Sequence, residues 1–167
     1  YLPVFFKITG QSCLVVGGGH IAKRKVNLLL KAGAKVTVLA PEVLPELKQQ
    51  ILATGGQVIE QAYQKSYIQS QRLVIAATDD ELLNKQVFDD CEAQHISVNV
   101  VDAPDLCRFI FPSIIDRSPV VIAISSSGQS PVLARLLRTR LESIIPAAYG
   151  QLAAFVGSFR KQVQTVL

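Results

Sequence analysis

Methionine and tryptophan are absent from the 167 residues, cysteine occurs three times and histidine twice. The cysteines, Cys13, Cys91 and Cys107, are far apart and form no C-x-x-C pair, which argues against a disulfide framework or a structural zinc site. They read as packed free thiols of a reducing compartment, so a cytoplasmic protein is expected. Aromatic residues make up 7% and are not interleaved with lysine and arginine. Despite a net charge of +4, a nucleic-acid surface is therefore not expected; the charge suits an anionic small molecule or simple solubility. No apolar run approaches the roughly 20 residues that span a bilayer, so no membrane partner is expected. The opening "YLPVFFKITG" carries neither the basic region nor the cleavage site of a signal peptide. Without an initiator Met, the chain is expected to be trimmed, with room for a further domain beyond Leu167.

What the chain does have is apolar residues, 49% of the total, arranged in alternating strand and helix patterns. "SCLVVGG" (12–18), "KVTVLA" (35–40), "QVIEQ" (57–61), "RLVIAATDD" (72–80) and "ISVNVVD" (96–102) read as strands. Helices are expected between them, over 20–32, over 43–56 and over 80–94. The order predicts an α/β fold, a Rossmann-like parallel sheet with helices on both faces. The rhythm changes at "FIFPSIIDRSPVVIAISSSG", where two apolar runs flank "DRSP" as antiparallel strands would. A helix follows, with Ser130 as N-cap, Pro131 at its first position and an apolar stripe of Leu133, Leu136, Leu137, Leu141, Ile144 and Ile145. A last helix over 147–167 shows Leu152, Phe155, Val156, Phe159 and Val163 on one face. The expected division is a Rossmann domain over 1–112, a small α+β dimerisation and substrate unit over 113–145, and a helical segment over 146–167.

Gly17-Gly18-Gly19-His20-Ile21-Ala22 matches G-x-G-x-x-A, after a strand and before a helix. The motif assigns Gly17 to a tight turn, Gly19 to the close approach of a pyrophosphate, and Ala22 to helix–strand packing. The helix N-terminus adds free N–H groups and a partial positive charge. A dinucleotide is the expected ligand; the competing reading is a glycine turn kept for packing. At the end of the second strand the nearest acid is Glu42, after Pro41, and no arginine follows to receive a 2′-phosphate, so NAD is preferred over NADP. Thr78 and Asp79 end the fourth strand at the same edge, where Asp79-Asp80 equally suits a helix cap.

Asp102, in "NVVDAPD", is expected at the cleft beside the nicotinamide, where a carboxylate takes a proton or meets a metal cation; a loop cap is the equal alternative. "SSSGQSP" (125–131) is either a nest of N–H groups for substrate carboxylates or a plain turn, and Arg135, Arg138 and Arg140 are either carboxylate partners or a solvated face. Ser125 and Ser126 are candidate phosphorylation sites. Cys91 and His95, four apart, are a weak metal pair, and a packed thiol beside a surface imidazole is preferred.

Long strings carry a further resemblance: "LPVFF", "CLVVGGGHIAKRKVNLLLKAGAKVTV", "IAATDD", "NVVDAPD", "FIFPSIIDRSPVVIAISSSGQSPVLARLLR" and "LESIIP". Over nearly its whole length the chain resembles the dehydrogenase/ferrochelatase module of siroheme synthase. That resemblance implies NAD-dependent oxidation of precorrin-2 to sirohydrochlorin, insertion of Fe²⁺ to give siroheme, and a homodimer with interlocked C-terminal parts. It also implies that Asp102 serves both reactions and that Ser126 lies near the tetrapyrrole. Asn99, Ser125, Gly128 and Arg135 join Ser126 as expected substrate contacts, while His20, Ile21, Pro41 and Glu42 fall where the family binds NAD. No fixed metal site is expected, since iron enters near Asp102 and leaves with the product. Two alternatives stand beside this: an NAD-binding redox sensor without chemistry, and a dehydrogenase without chelatase activity.

Overall fold

The computed structural model describes the backbone of residues 1–166 and the side chains of residues 1–160; Val163, placed on the last apolar face above, lies outside the described side chains. Two compact units divide the chain, Tyr1–Phe109 and Ile110–Leu167.

The first unit is built on five parallel strands: β1 (Ser12–Val16), β2 (Lys35–Leu39), β3 (Gln57–Ile59), β4 (Leu73–Ala76) and β5 (Ser97–Val100), in the order β3-β2-β1-β4-β5. Helix α1 (His20–Lys31) joins β1 to β2, α2 (Pro45–Ala53) joins β2 to β3, and α3 (Glu81–Ala93) joins β4 to β5. Crossovers between parallel strands are right-handed. The chain runs one way from β1 to β3 and the other way from β4 to β5, so α1 and α2 cover one face and α3 the other.

Both faces are consequently dry. Leu73, Val74, Ile75 and Ala76 of β4 are all buried, as are Cys13 through Val16 of β1. With alternate residues pointing to opposite faces, Leu14, Val16, Val74, Ala76, Val98 and Val100 form one core with Val87, Phe88 and Cys91 of α3. Ile68 of the short 3-10 turn Lys65–Ile68, in the β3–β4 crossover, closes that side. α1 buries Ala22, Val26 and Leu29, one stripe at helical spacing.

The strands are shorter than the sequence pattern suggests. The apolar run 72–80 yields a strand of four residues, because Ala77 to Asp80 turn away to start α3. The Asp80 carboxylate accepts a hydrogen bond from the Leu83 N–H at 3.0 Å and caps that helix. Strands β1, β4 and β5 thus end at one edge, and their loops build the site.

In the second unit, β6 (Ser113–Arg117) and β7 (Val120–Ile124) pair antiparallel, followed by α4 (Pro131–Ile144) and α5 (Ala148–Val166). Ser130 caps α4 by accepting from the Leu133 N–H at 3.3 Å, and Pro131 takes the first helical position. Arg117 donates to the carbonyl oxygen of Ile145, tying the hairpin to the end of α4. Among the described residues no helix is long and apolar enough to cross a membrane.

Candidate active site

The order of the sheet reverses between β1 and β4, the position at which doubly wound sheets bind ligands beyond the strand ends. The glycine loop leaves β1 there. Gly17 has φ +126°, and a Cβ on it would lie 2.3 Å from the Ala77 carbonyl oxygen. Gly18 is equally constrained: a Cβ would lie 2.0 Å from the carbonyl oxygen of Glu42. The fingerprint treats that middle position as free, so spacing gave no warning of it; the tripled glycine was the only signal. Gly19 differs, since a Cβ there would meet nothing within 4 Å.

That open space fits a pyrophosphate. Gly19 is the N-cap of α1, offers no side-chain cap, and no acid stands in the first turn, so the N–H groups there keep their capacity for an anion. His20 is exposed at the start of the helix. Ala22 is fully buried against the sheet, as the third small position requires. The β2–α2 loop is bound to the glycine loop, because the Leu44 N–H donates to the Gly18 carbonyl oxygen at 3.0 Å. Pro41 and Glu42 are exposed on that loop. Lys23 and Glu46 pair at 2.7 Å between α1 and α2, and this bond holds the Glu46 carboxyl below its usual range.

A cleft of about 560 Å³ opens beside the glycine loop. It is lined by Ile21 of α1, Thr78 and Asp79 after β4, and Asp102 after β5. These four expected residues come together there. Asn84, Lys85 and Leu106 also line it and were not singled out from the sequence. Asn84 is buried and clamps the β4–α3 loop: its Oδ1 accepts from Thr78 Oγ1 at 2.8 Å, and its Nδ2 donates to the Thr78 carbonyl at 2.9 Å. Lys85 is paired with Asp89 at 2.7 Å. Asp102 is exposed, with φ +59°, in the left-handed region that aspartate tolerates better than most residues.

Asn99, expected to touch substrate, is buried at the end of β5. It is 6% exposed, and its Nδ2 donates to the Phe109 carbonyl at 2.9 Å and lies 3.3 Å from Cys107 Sγ. A buried amide must find partners within the protein, and the loop 101–109 supplies them.

The serine loop of the second unit is held by its own hydroxyls. Ser125 Oγ accepts from the Ser127 N–H at 3.0 Å, and Ser126 Oγ accepts from the Ser130 N–H at 2.9 Å. The Gln129 N–H donates to the Ser126 carbonyl at 3.0 Å. The N–H groups of Ser127, Gln129 and Ser130 are thus bonded within the turn. Ser127 and Gly128 have φ +52° and +85°. Arg135 is exposed, while Arg138 pairs with Glu142 at 3.1 Å.

The thiols are inert by burial. Cys13 is pushed up to about 11 and Cys91 to about 12, and burial also raises Cys107. His95 lies beyond the end of α3 with φ +55°, so Cys91 and His95 do not share a helix face. Among the described residues no group of three or more His, Cys, Asp or Glu side chains is arranged to hold a metal.

Residues 4–113 match the family described as putative NAD(P)-binding, and residues 117–144 match the sirohaem biosynthesis protein central family. Siroheme synthase of Psychrobacter sp. (strain PRwf-1) is 53% identical over 98% of this chain, and that of Methylobacillus flagellatus is 52% identical over 98%. The chain spans 34% and 35% of those proteins, about a third of their length. Among solved structures, SirC, a precorrin-2 dehydrogenase, superposes with a TM-score of 0.80 at 27% identity, covering 98% of this chain and 81% of that one.

Proposed function

This chain belongs to the putative NAD(P)-binding family, in the form carried by siroheme synthases, and from that premise we propose that it oxidises precorrin-2 to sirohydrochlorin with NAD⁺. The observation that carries the proposal is the cleft beside the glycine loop, on a chain that superposes over 98% of its length on a precorrin-2 dehydrogenase.

When bound, NAD⁺ would supply the hydride acceptor for this oxidation, which also releases a proton. The chain's residues do the rest. The N-terminus of α1 holds the pyrophosphate, with Gly19 giving it room and His20 and Ile21 beside it. Glu42 faces the adenosine ribose, where a carboxylate disfavours a 2′-phosphate, so NAD is preferred over NADP. Thr78 and Asp79 border the bound cofactor, and the Asp102 carboxylate takes the proton. Ser125, Ser126, Gly128 and Arg135 are proposed to meet the carboxylates of the tetrapyrrole. Ser126 is also proposed as a phosphorylation site.

Ferrous iron insertion into sirohydrochlorin is the second activity proposed. It releases two pyrrole protons, and the exposed carboxylates of Asp79, Glu81 and Asp102 that line the cleft are placed to accept them. The chain is proposed to act as a homodimer. In support, Leu133, Leu136, Leu137, Ile144, Phe155 and Phe159 are exposed apolar side chains of the second unit, an apolar surface of the kind buried between subunits.

Replacing Asp102 by Ala tests the catalytic assignment. NAD⁺ affinity is expected to stay within about twofold while turnover falls roughly 100-fold or more. Unchanged turnover would remove Asp102 from the reaction, and a sensor without chemistry would then be the better account.

A further inference from the structure

Strand β4 ends its ladder at Ala76, which stands in register with Val16 of β1 and Val100 of β5. The Ala77 N–H still donates to the Val16 carbonyl at 2.8 Å. Thr78 lies beyond the ladder, and its peptide groups need another partner. Asn84 of α3 supplies it. A carboxamide carries an acceptor and a donor side by side, the complement of one residue's N–H and C=O. Asn84 Oδ1 accepts from the Thr78 N–H at 3.4 Å, and Nδ2 donates to the Thr78 carbonyl at 2.9 Å. The Thr78 hydroxyl adds a third bond, 2.8 Å to the same Oδ1, while its oxygen accepts from the Asp80 N–H at 3.3 Å. The side chains of Asn84 and Thr78 are thus committed to each other and to this loop.

The backbone so held is the one that meets the glycine loop. A Cβ on Gly17 would lie 2.3 Å from the Ala77 carbonyl oxygen, 2.8 Å from its carbon and 3.4 Å from the Thr78 nitrogen. The Ala77–Thr78 peptide therefore packs directly on Gly17, and Asn84 grips its N–H end. Asn84 is buried, yet it lines the cleft together with Ile21, Thr78 and Asp79. A buried amide with three bonds to one residue allows that residue little freedom.

We infer that Asn84 is a positioning residue for the dinucleotide: by holding Thr78 at both peptide groups and at the hydroxyl, it sets the loop after β4 against the glycine loop and keeps the cleft shaped for the cofactor before the cofactor arrives. Asn84 acts through Thr78 and does not itself meet the reacting atoms. The inference deepens the proposed dehydrogenase reading and rests on it for the identity of the ligand.

The test has two arms on the full chain. The first is a double-mutant cycle of thermal unfolding without ligand, using Asn84→Leu, Thr78→Val and the pair. Coupling is expected to make the melting temperatures non-additive by about 2 °C. Additive shifts overturn the contact whatever the reaction is. The second arm is NAD⁺ titration and steady-state kinetics at a temperature where each variant is folded. Asn84→Leu is expected to weaken NAD⁺ binding roughly tenfold and to raise KM for NAD⁺ by as much, with kcat at saturation within about twofold of the wild type. Asn84→Ala removes the same bonds without adding bulk to the cleft; it is expected to show the same loss, and it carries the test if the leucine variant does not fold. Lower melting temperatures with NAD⁺ affinity unchanged in the folded variants would mean a purely structural role and overturn the inference. A wild-type protein that binds NAD⁺ without oxidising precorrin-2, with the tenfold loss still seen in the variants, overturns the dehydrogenase reading and supports the inference.

Discussion

Gly18 and Glu42 meet backbone to backbone: a Cβ on Gly18 would stand 2.0 Å from the Glu42 carbonyl oxygen and 2.8 Å from the Cα of Val43. The loop proposed to hold the pyrophosphate and the loop proposed to hold the ribose are therefore one rigid piece. The Leu44 N–H, donating to the Gly18 carbonyl, completes the join.

The first prediction separates two glycines that look alike in the sequence. Gly18→Ala is expected to push the β2–α2 loop away, costing about 2 kcal/mol or more in stability and weakening NAD⁺ binding. Gly19→Ala is expected to fold nearly as well as the wild type, because its Cβ meets nothing within 4 Å. It is nevertheless expected to lose NAD⁺ affinity about tenfold, because the methyl occupies the space the phosphates need. Urea unfolding and cofactor titration measured side by side check both.

The second prediction concerns cofactor choice. The exposed Glu42 side chain follows β2 with no arginine beside it. Glu42→Arg is expected to shift the NAD⁺/NADP⁺ affinity ratio toward NADP⁺ by roughly tenfold or more, since an attractive charge replaces a repulsive one. Titration with both nucleotides checks it, and an unchanged ratio would mean that backbone groups alone hold the ribose.

A third prediction follows from the buried thiols. Their pKa values lie above the ordinary 9.0 in the folded state, at about 11 for Cys13 and about 12 for Cys91. A group whose folded pKa is raised contributes stability that is full below the unfolded pKa and is lost as pH rises toward the folded one. Urea midpoints are therefore expected to fall between about pH 9 and pH 11, and Cys91→Ala is expected to flatten that decline. At pH 8 the three free cysteines are expected to resist a disulfide reagent in the native protein and to react after unfolding.

The parallel sheet was legible because its strands are buried on both faces, so "LVIA" of β4 reads as continuous apolar sequence while α1 shows a helical stripe. Ile21, Thr78, Asp79 and Asp102 were legible as cleft residues because strand ends and a glycine motif locate one edge. The burial of Asn99 and its bond to the Phe109 carbonyl were not legible, because a polar residue near a strand end looks the same in sequence whether it faces a ligand or secures a loop. Asn84 was missed for a related reason, since its partner Thr78 is six residues away across a turn. The serine loop read equally as a nest or a plain turn, because composition does not show that Ser125 and Ser126 accept from amides of their own loop. Gly18 was invisible because its neighbour Glu42 comes from the next loop, a contact that only the fold creates.

The most direct measurement is an anaerobic incubation of the protein with precorrin-2 and NAD⁺, followed by absorbance, with Fe²⁺ added afterwards. The account predicts growth of the sirohydrochlorin spectrum matched by NADH, then conversion to siroheme faster than without protein. Sirohydrochlorin with iron insertion at the uncatalysed rate would leave a dehydrogenase alone. Tight NAD⁺ binding with no NAD⁺-dependent change in the spectrum would contradict the central claim.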